Sequence, residues 1–318
     1  MNANSNLERM LMIGGLILLA IFPLLAGKFY LQLFAKIMIM AIFAMSLDLL
    51  VGFTGLVSFG HAAFYGVGAY ALWLASPKYA ATSLYLSLPL AMAASAVAAL
   101  VIGLLVLRSS GVYFIMVTLA FAQMFFYYVT GAKWLGGSDG VYIYVKPDAA
   151  LFGWTPFSLE NAASFYYLVL LALAATYLVL RLLAGSLFGH ALRGIRGNEP
   201  RMRALGFATF GYKLAAFVVA GSLAGLAGYL DAAQYGFVTP DFFGWRLSGV
   251  VLMMVILGGM GTLYGPVLGA FALVLLQDSL SDATRHWLLP MGIFIILAVL
   301  LLPQGIGGLL RRREAEDG

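Results

Sequence analysis

The sequence predicts an all-α integral membrane protein of about ten transmembrane helices with Gly-rich interrupted segments. Three observations lead there. Of 318 residues, 63% are hydrophobic and only 10% are charged, and the mean hydropathy is +0.98. A soluble domain carries about 25% charged residues, so this chain lacks the charge to coat a soluble surface. Apolar runs also follow one another from residue 10 to residue 303 with short interruptions. Finally, the basic residues collect in a few loops, as membrane topology requires.

A helix needs ~20 apolar residues to cross the hydrocarbon layer. The expected spans are Met10–Ala26, Phe29–Leu50, Phe53–Ala75, Leu84–Leu107 and Val112–Gly131. After a polar stretch come Ala163–Ala184, Leu214–Gln234, Leu247–Leu263, Pro266–Leu280 and Trp287–Leu302. The run after Arg9 could be a signal peptide. No A-x-A site follows it, so it is read as the first span.

The loop 185–213 holds Arg193, Arg196, Arg201, Arg203 and Lys213 against the single acid Glu199, and the tail holds Arg311, Arg312 and Arg313. Arg9 and Arg108 lie at span ends. Ten spans put all four regions on one side, expected to be the cytoplasm, with both termini there. Loop 132–162, with mixed charges, Tyr, Trp and Pro, then lies outside. Eight spans with two re-entrant segments is the alternative count. The whole chain, 1–318, reads as one membrane domain.

Several chemistries find no residues. Cys is absent, so there are no disulfides, thiolate metal sites or Cys nucleophile. His61, His190 and His286 lack metal-ligand spacing, and no P-loop, catalytic triad or carboxylate pair occurs. No catalytic residue, metal or cofactor is therefore assigned. The net charge of +5 is explained by topology and does not call for nucleic acid.

Lys36, Asp48, Asp231 and Asp278 are the candidate charges inside spans, with Gln123 and Gln234 as uncharged polar groups. The three acids fall near expected helix ends, where water would reach them. The path is thus expected to be largely apolar.

Glycine clusters at G-F-T-G-L-V-S-F-G-H-A-A-F-Y-G-V-G-A, Gly52–Ala69, and at G-G-M-G-T-L-Y-G-P-V-L-G-A, Gly258–Ala270. The two read as a weak internal repeat of the kind found in duplicated transporter halves; close helix packing is the simpler use of such residues. From His61 to Ala75 a helix spans only ~22 Å, short of the ~30 Å layer. Either it starts near Phe53 and runs through the glycines, or it starts inside the membrane after non-helical backbone. In the second case N–H groups at Ser58–His61 could meet a substrate carboxylate, with Thr54 and Ser58 as added donors. Thr54, Ser58, Gly60 and His61 are the candidate path residues. Bulk at Gly60 is then expected to block the path while leaving assembly intact.

The loop G-S-L-F-G-H-A-L-R-G-I-R-G-N-E-P-R-M-R-A-L-G-F is ordered beyond what charge topology needs. A first short helix, Gly189–Arg196, sets Leu192 and Ile195 on one side and Arg193 and Arg196 on another. Asn198 caps a second with Pro200 at its second position, running to Leu205 and stopping at Gly206. Amphipathic helices of this kind insert into a partner's groove.

These blocks carry a family resemblance. The run G-F-T-G-L-V-S-F-G-H-A-A-F-Y-G-V-G-A-Y resembles the signature of permease subunits of branched-chain amino acid ABC importers. The loop G-H-A-L-R-G-I-R-G-N-E-P-R-M-R-A-L-G resembles that family's ATPase-coupling loop, and L-G-G-M-G-T-L-Y-G-P-V-L-G-A is similar to its third block. The chain looks more like the M-type than the H-type subunit. His190, Gly194 and Gly197 depart from the more usual Arg, Ala and Glu. The resemblance implies a multi-pass protein of the bacterial inner membrane, itself non-catalytic. It also implies a second permease subunit, two cytoplasmic ATPase subunits that hydrolyse ATP, and a periplasmic substrate-binding protein. Arg193, Arg196, Asn198, Glu199 and Arg201 are the expected coupling contacts, with Glu199 facing a cation on the ATPase. Related permeases take other amino acids, urea, amides or aromatic acids; an ion-coupled secondary carrier and a membrane-embedded enzyme are the rival classes.

Overall fold

The computed structural model describes residues 14–15, 18–24, 27–77, 80–149, 159–302 and 305–308. Part of the expected first span, part of loop 132–162 and the Arg311–Arg313 tail lie outside the described residues. The described residues are mainly helical, with one two-residue strand pair among the connecting loops.

Helix α1, Lys28–Asp48, continues through a wide π-helical turn, Leu49–Thr54. It is the central helix, and from Ile37 to Thr54 every residue is buried. After a break come α2, His61–Ala75; α3, Leu84–Val106; and α4, Val112–Gly131. Strand β1, Val141–Tyr142, lies in the following loop, and α5 is Ala162–Gly185. The next loop forms α6, Leu187–Gly197, and α7, Glu199–Ala204. Then follow α8, Thr209–Tyr235; β2, Phe237–Val238; α9, Trp245–Gly258; α10, Gly265–Ala283; and α11, Leu288–Leu301.

Among the described residues, 6 helical stretches are long and apolar enough to cross a membrane: Lys28–Thr54, Leu84–Val106, Val112–Gly131, Ala162–Gly185, Thr209–Tyr235 and Leu288–Gly308. Helices α2 and α9 are shorter, with 15 and 14 residues, about 22 and 21 Å of helix. The expected span Phe53–Ala75 is therefore not one helix. Its chain breaks at Gly55, where φ is +75°, and helix resumes at His61. The expected span Leu247–Leu263 likewise stops at Gly258.

Lipid offers no hydrophobic drive between helices, so close packing of small residues must hold them together. At α2 against α8, a Cβ on Gly68 would strike the Gly225 carbonyl, and one on Gly228 the Tyr65 carbonyl. Beside them Ser95 of α3 donates to the Phe64 carbonyl at 3.1 Å. The outward faces carry residues such as Leu86, Leu90, Leu171 and Leu182, suited to lipid.

The connections gather at two opposite ends. At one, β1 and β2 pair antiparallel, with Val141 opposite Val238, and the Asp148 N–H donates to the Thr82 carbonyl at 2.8 Å. At the other, α6 lies against the π-turn of α1, and the Gly261 N–H donates to Asp48 at 2.7 Å. The loops 132–149 and 185–209 thus sit at opposite ends of the bundle.

The structure also relocates the internal repeat. The break after α1 reads Gly52-Phe53, then Phe59-Gly60-His61; the break after α8 reads Gly236-Phe237, then Phe243-Gly244-Trp245, at identical spacing. Each long helix ends on a left-handed glycine, Gly55 at +75° and Gly236 at +66°. A short helix then begins at His61 or at Trp245. The two breaks enter from opposite ends, and the short helices start side by side inside the bundle, where the Ala62 N–H donates to Ser248 Oγ at 2.9 Å. This is the pattern of an inverted repeat with discontinuous helices. The Gly258–Ala270 cluster is not the counterpart of Gly52–Ala69; it packs onto it.

Candidate functional site

The three glycine-rich and basic blocks, far apart in sequence, meet at one end of the bundle. The π-turn places Gly52 against the turn after α9, where a Cβ on Gly52 would overlap Gly261. Asp48, one turn earlier, accepts the Gly261 N–H and is fully buried. Helix α6 covers this junction. Its Leu192 and Ile195 are buried, as their shared side of the amphipathic helix predicts. Arg196 donates to the Gly52 carbonyl, and a Cβ on Gly55 would lie 3.2 Å from its Cγ. Arg193 sits 5.8 Å above the Phe53 ring and donates to the Ala184 carbonyl. A loop helix thus holds the broken transmembrane helix directly by its backbone.

The second half of the loop is internally stapled. Asn198 Oδ1 accepts the Arg201 N–H at 2.9 Å and so caps α7, with Gly206 ending the turn at φ +89°. Glu199 Oε1 accepts from Arg203 at 2.7 Å, Lys213 at 2.8 Å and Thr209 at 3.1 Å. Glu199 therefore faces its own chain, tying α7 to the start of α8. Arg201 projects outward.

Partial burial pushes the Glu199 carboxyl up, and the hydrogen bonds from Lys213 and Arg203 more than reverse this, leaving it below the ordinary glutamate value of 4.5. A depressed carboxylate stabilises the fold fully above its unfolded value and loses that contribution as pH falls through its folded one. The protection of α7 amides against exchange, taken relative to the intrinsic rate at each pH, is accordingly expected to be high at neutral pH and to fall as pH drops below 4.5. Undiminished protection in that range would show the staple to be inert.

The candidate path residues lie deeper, and the structure brings them together in a closed arrangement. Thr54 Oγ1 donates to the Leu50 carbonyl at 2.6 Å, within its own helix. Ser58 Oγ accepts the Gly60 N–H at 3.2 Å, and Thr118 Oγ1 accepts the Phe59 N–H at 3.3 Å. His61 Nε2 bonds Ser46 Oγ at 2.8 Å and its ring stacks on Phe43 at 5.4 Å, while Nδ1 has no partner. Of the N–H groups expected to be open at Ser58–His61, that of Gly60 is thus taken by the Ser58 hydroxyl and that of Phe59 by Thr118, and the next one, of Ala62, goes to Ser248. These last two partners come from other helices and had no signal in a single sequence.

Gly60 abuts the Thr118 backbone, leaving no room for a Cβ. Overpacking a buried site costs about 1–3 kcal/mol. Gly60→Ala is therefore expected to lower the amount of assembled protein in the membrane, and Gly60→Leu to do so more severely, rather than leaving an assembled but blocked permease. Wild-type levels of Gly60→Leu would show that this contact gives way.

Two acids need correction. Asp48 and Asp231 were expected near water at helix ends, yet Asp48 is fully buried and Asp231 only 6% exposed. The π-turn carries α1 past Asp48 to Thr54, and α1 and α2 cover Asp231 on α8. Asp278 on α10 is half-buried. Among the described residues no His, Asp and Glu group could hold a metal ion.

Residues 29–302 match the family described as "Branched-chain amino acid transport system / permease component". The chain belongs to this family. The permease is 31% identical to the high-affinity branched-chain amino acid transport system permease protein LivM of Salmonella typhimurium, over 95% of this chain and 76% of that one. It is 30% identical to LivM of Escherichia coli strain K12, over 94% and 75%. The autoinducer 2 import system permease protein LsrC of Photorhabdus luminescens is 31% identical, over 52% of this chain and 50% of its own. No solved structure matches. The permease is thus a membrane-embedded transport component, and its three sequence blocks are the parts that converge at the junction.

Proposed function

We propose that this permease forms the membrane path of an ABC importer for amino acids, branched-chain ones first. The observation that carries the reading is the similarity to LivM along 95% of the chain, joined to a basic loop helix seated on the broken helix α1. In this reading a second permease subunit completes the path in the bacterial inner membrane. Two cytoplasmic ATPases hydrolyse ATP, and a periplasmic binding protein delivers the solute. The relatives named are permeases of a transport system and an import system, and they lend nothing to an ion-coupled carrier.

The single domain has ten membrane segments, counting Met10–Ala26 and the short helices α2 and α9. Both termini and loop 185–213 face the cytoplasm, and loop 132–162 faces the periplasm. Arg193, Arg196, Asn198, Glu199 and Arg201 are the coupling elements. Arg201 is presented to the ATPase, Arg193 and Arg196 pass its motion to Gly52 and Phe53, and Asn198 and Glu199 keep the loop rigid. Thr54, Ser58, Gly60 and His61 line the path once α2 parts from α4.

The test is reconstitution of all subunits in vesicles. Leucine uptake is expected only with ATP and the loaded binding protein; uptake by the permease without ATPase subunits would overturn the reading. Topology has its own check, since the chain has no cysteine. Tyr144→Cys is expected to react with an impermeant thiol reagent in intact cells, and Arg201→Cys only after permeabilisation. The reverse pattern would invert the assigned orientation.

A further inference from the structure

The chain after α8 does not stay at the outer surface. It descends inside the bundle, where Phe243 stacks on Phe125 of α4 with ring centroids 5.8 Å apart and fills the space beside Gly66 of α2. Helix α9 then starts beside α2, with the Ala62 N–H on Ser248 Oγ at 2.9 Å, and the two run to opposite ends of the bundle. Each covers about 20 Å of helix, so their shared start lies near the middle of the ~30 Å hydrocarbon layer. The expected span Leu247–Leu263 would have left Arg246 at the membrane surface. The break instead sets it two residues before Ser248, at mid-depth.

Arg246 is exposed there. Among the described residues it makes no hydrogen bond and no ion pair, and Asp241, an exposed acid five residues earlier, does not pair with it. A guanidinium keeps its charge in proteins, and facing lipid at this depth is costly. Long basic side chains reach the headgroups from helix ends, but from here half the layer lies in the way. The same face continues down α9. Trp245 is 48% exposed, Met253, two turns below Arg246, is 38% exposed, and Met260, in the turn after the helix, 45%. The other side of α9, with Val251, Met254 and Val255, is buried, and the helix packs on α10 and α1. The outward residues Leu86, Leu90, Leu171 and Leu182 of α3 and α5 are apolar and suit lipid. The exposed face of α9 carries a fixed charge and does not.

We propose that this face of α9 is the seam against the second permease subunit, with Arg246 donating there to carboxylate or carbonyl oxygens of that subunit. Charge complementarity calls for a resident partner: the solute fills the path for part of each cycle, whereas a charge at this depth needs acceptors at all times. Trp, Met and Arg are also among the residues enriched where proteins meet. The inference rests on the two-permease assembly proposed above and names the face by which this chain enters it.

The chain has no cysteine, so Met253→Cys can carry a single thiol-linked photo-cross-linker. In membranes holding the whole importer, illumination is expected to join this position to the second permease subunit. The same probe at Leu171→Cys, on the outward face of α5, is expected to give lipid adducts only. No protein adduct from position 253, or adducts only to an ATPase or the binding protein, would overturn the seam. A second measurement uses Arg246→Met in a tagged chain. Recovery of the second permease subunit with it is expected to fall about tenfold or more, the loss of a hydrogen-bonded charge pair at an interface, while the chain's own level in the membrane holds. Unchanged or raised recovery is the result for an arginine facing lipid or water and overturns the proposal. Unchanged recovery with lost leucine uptake overturns it too, by assigning Arg246 to the solute. If Arg246→Met lowers the chain's own level, the cross-link from position 253 decides. Failure of the wild-type chain to bring down any second permease subunit would instead strike the two-permease assembly, so the two failures stay distinguishable.

Discussion

Arg196→Met is expected to abolish most ATP-driven uptake while leaving the permease assembled in the membrane. Arg196 is an exposed residue, yet its guanidinium donates to the Gly52 carbonyl. That carbonyl belongs to the π-turn that ends α1, and wide turns of this kind are frequent at functional sites. Just before that turn stands Asp48, the last residue of α1, which clasps Gly261 after α9. One side chain therefore links the loop helix to both broken helices. Met keeps much of the apolar stem and removes the donor, so α6 stays seated through Leu192 and Ile195. Uptake per assembled complex is expected to fall roughly tenfold or more, the loss of a charged hydrogen bond, while basal ATPase activity persists. Full uptake by Arg196→Met in reconstituted vesicles would remove this contact from the coupling route.

The second large effect is expected from Glu199→Lys. In wild type the Glu199 carboxylate sits between Arg203 and Lys213, and the Lys213 side chain is only 8% exposed. A lysine at 199 would place three cations together and leave Lys213 without its counter-charge. Breaking a buried pair by removing one partner costs about 3–5 kcal/mol; here the half-open setting reduces that, but added repulsion acts in the same direction. Helix α7 should detach from α8, with loss of uptake and fast amide exchange from Asn198 to Thr209. Glu199→Gln separates this reading from direct contact with an ATPase cation. It keeps a hydrogen-bond acceptor for Thr209 and Arg203, so order should largely remain and uptake fall only in part. If Glu199→Lys loses uptake while α7 exchange stays slow, the carboxylate acts on a partner and not on its own loop.

Much of this arrangement was legible residue by residue. The amphipathic split of α6, the Asn198 cap, the early Pro200 and the Gly206 stop are local rules of helix ends, and they hold in the structure to within a residue or two. The His61 start of α2 was one of two readings, chosen between only by contacts. Glu199 was visible as the lone acid in a basic loop, but its partners Arg203, Lys213 and Thr209 depend on how α7 folds back on α8. Asp48 stood out as a charge in an apolar run; its burial did not, because a π-turn that lengthens α1 leaves no clear trace in composition.

By itself the sequence determined the solvent of this protein, its helical character, its loop-charge asymmetry and the local signals of the coupling loop. Each of these follows from side-chain chemistry and short-range geometry, which neighbouring residues carry with them. Only the tertiary structure decided that Gly52, Arg196 and Gly261 meet, that the true repeat partner of the first break is Gly236–Gly244, and that Asp48 and Asp231 are buried. These depend on which small residues let which helices approach. In lipid that choice is made by the fit of distant surfaces, which no single stretch of chain contains.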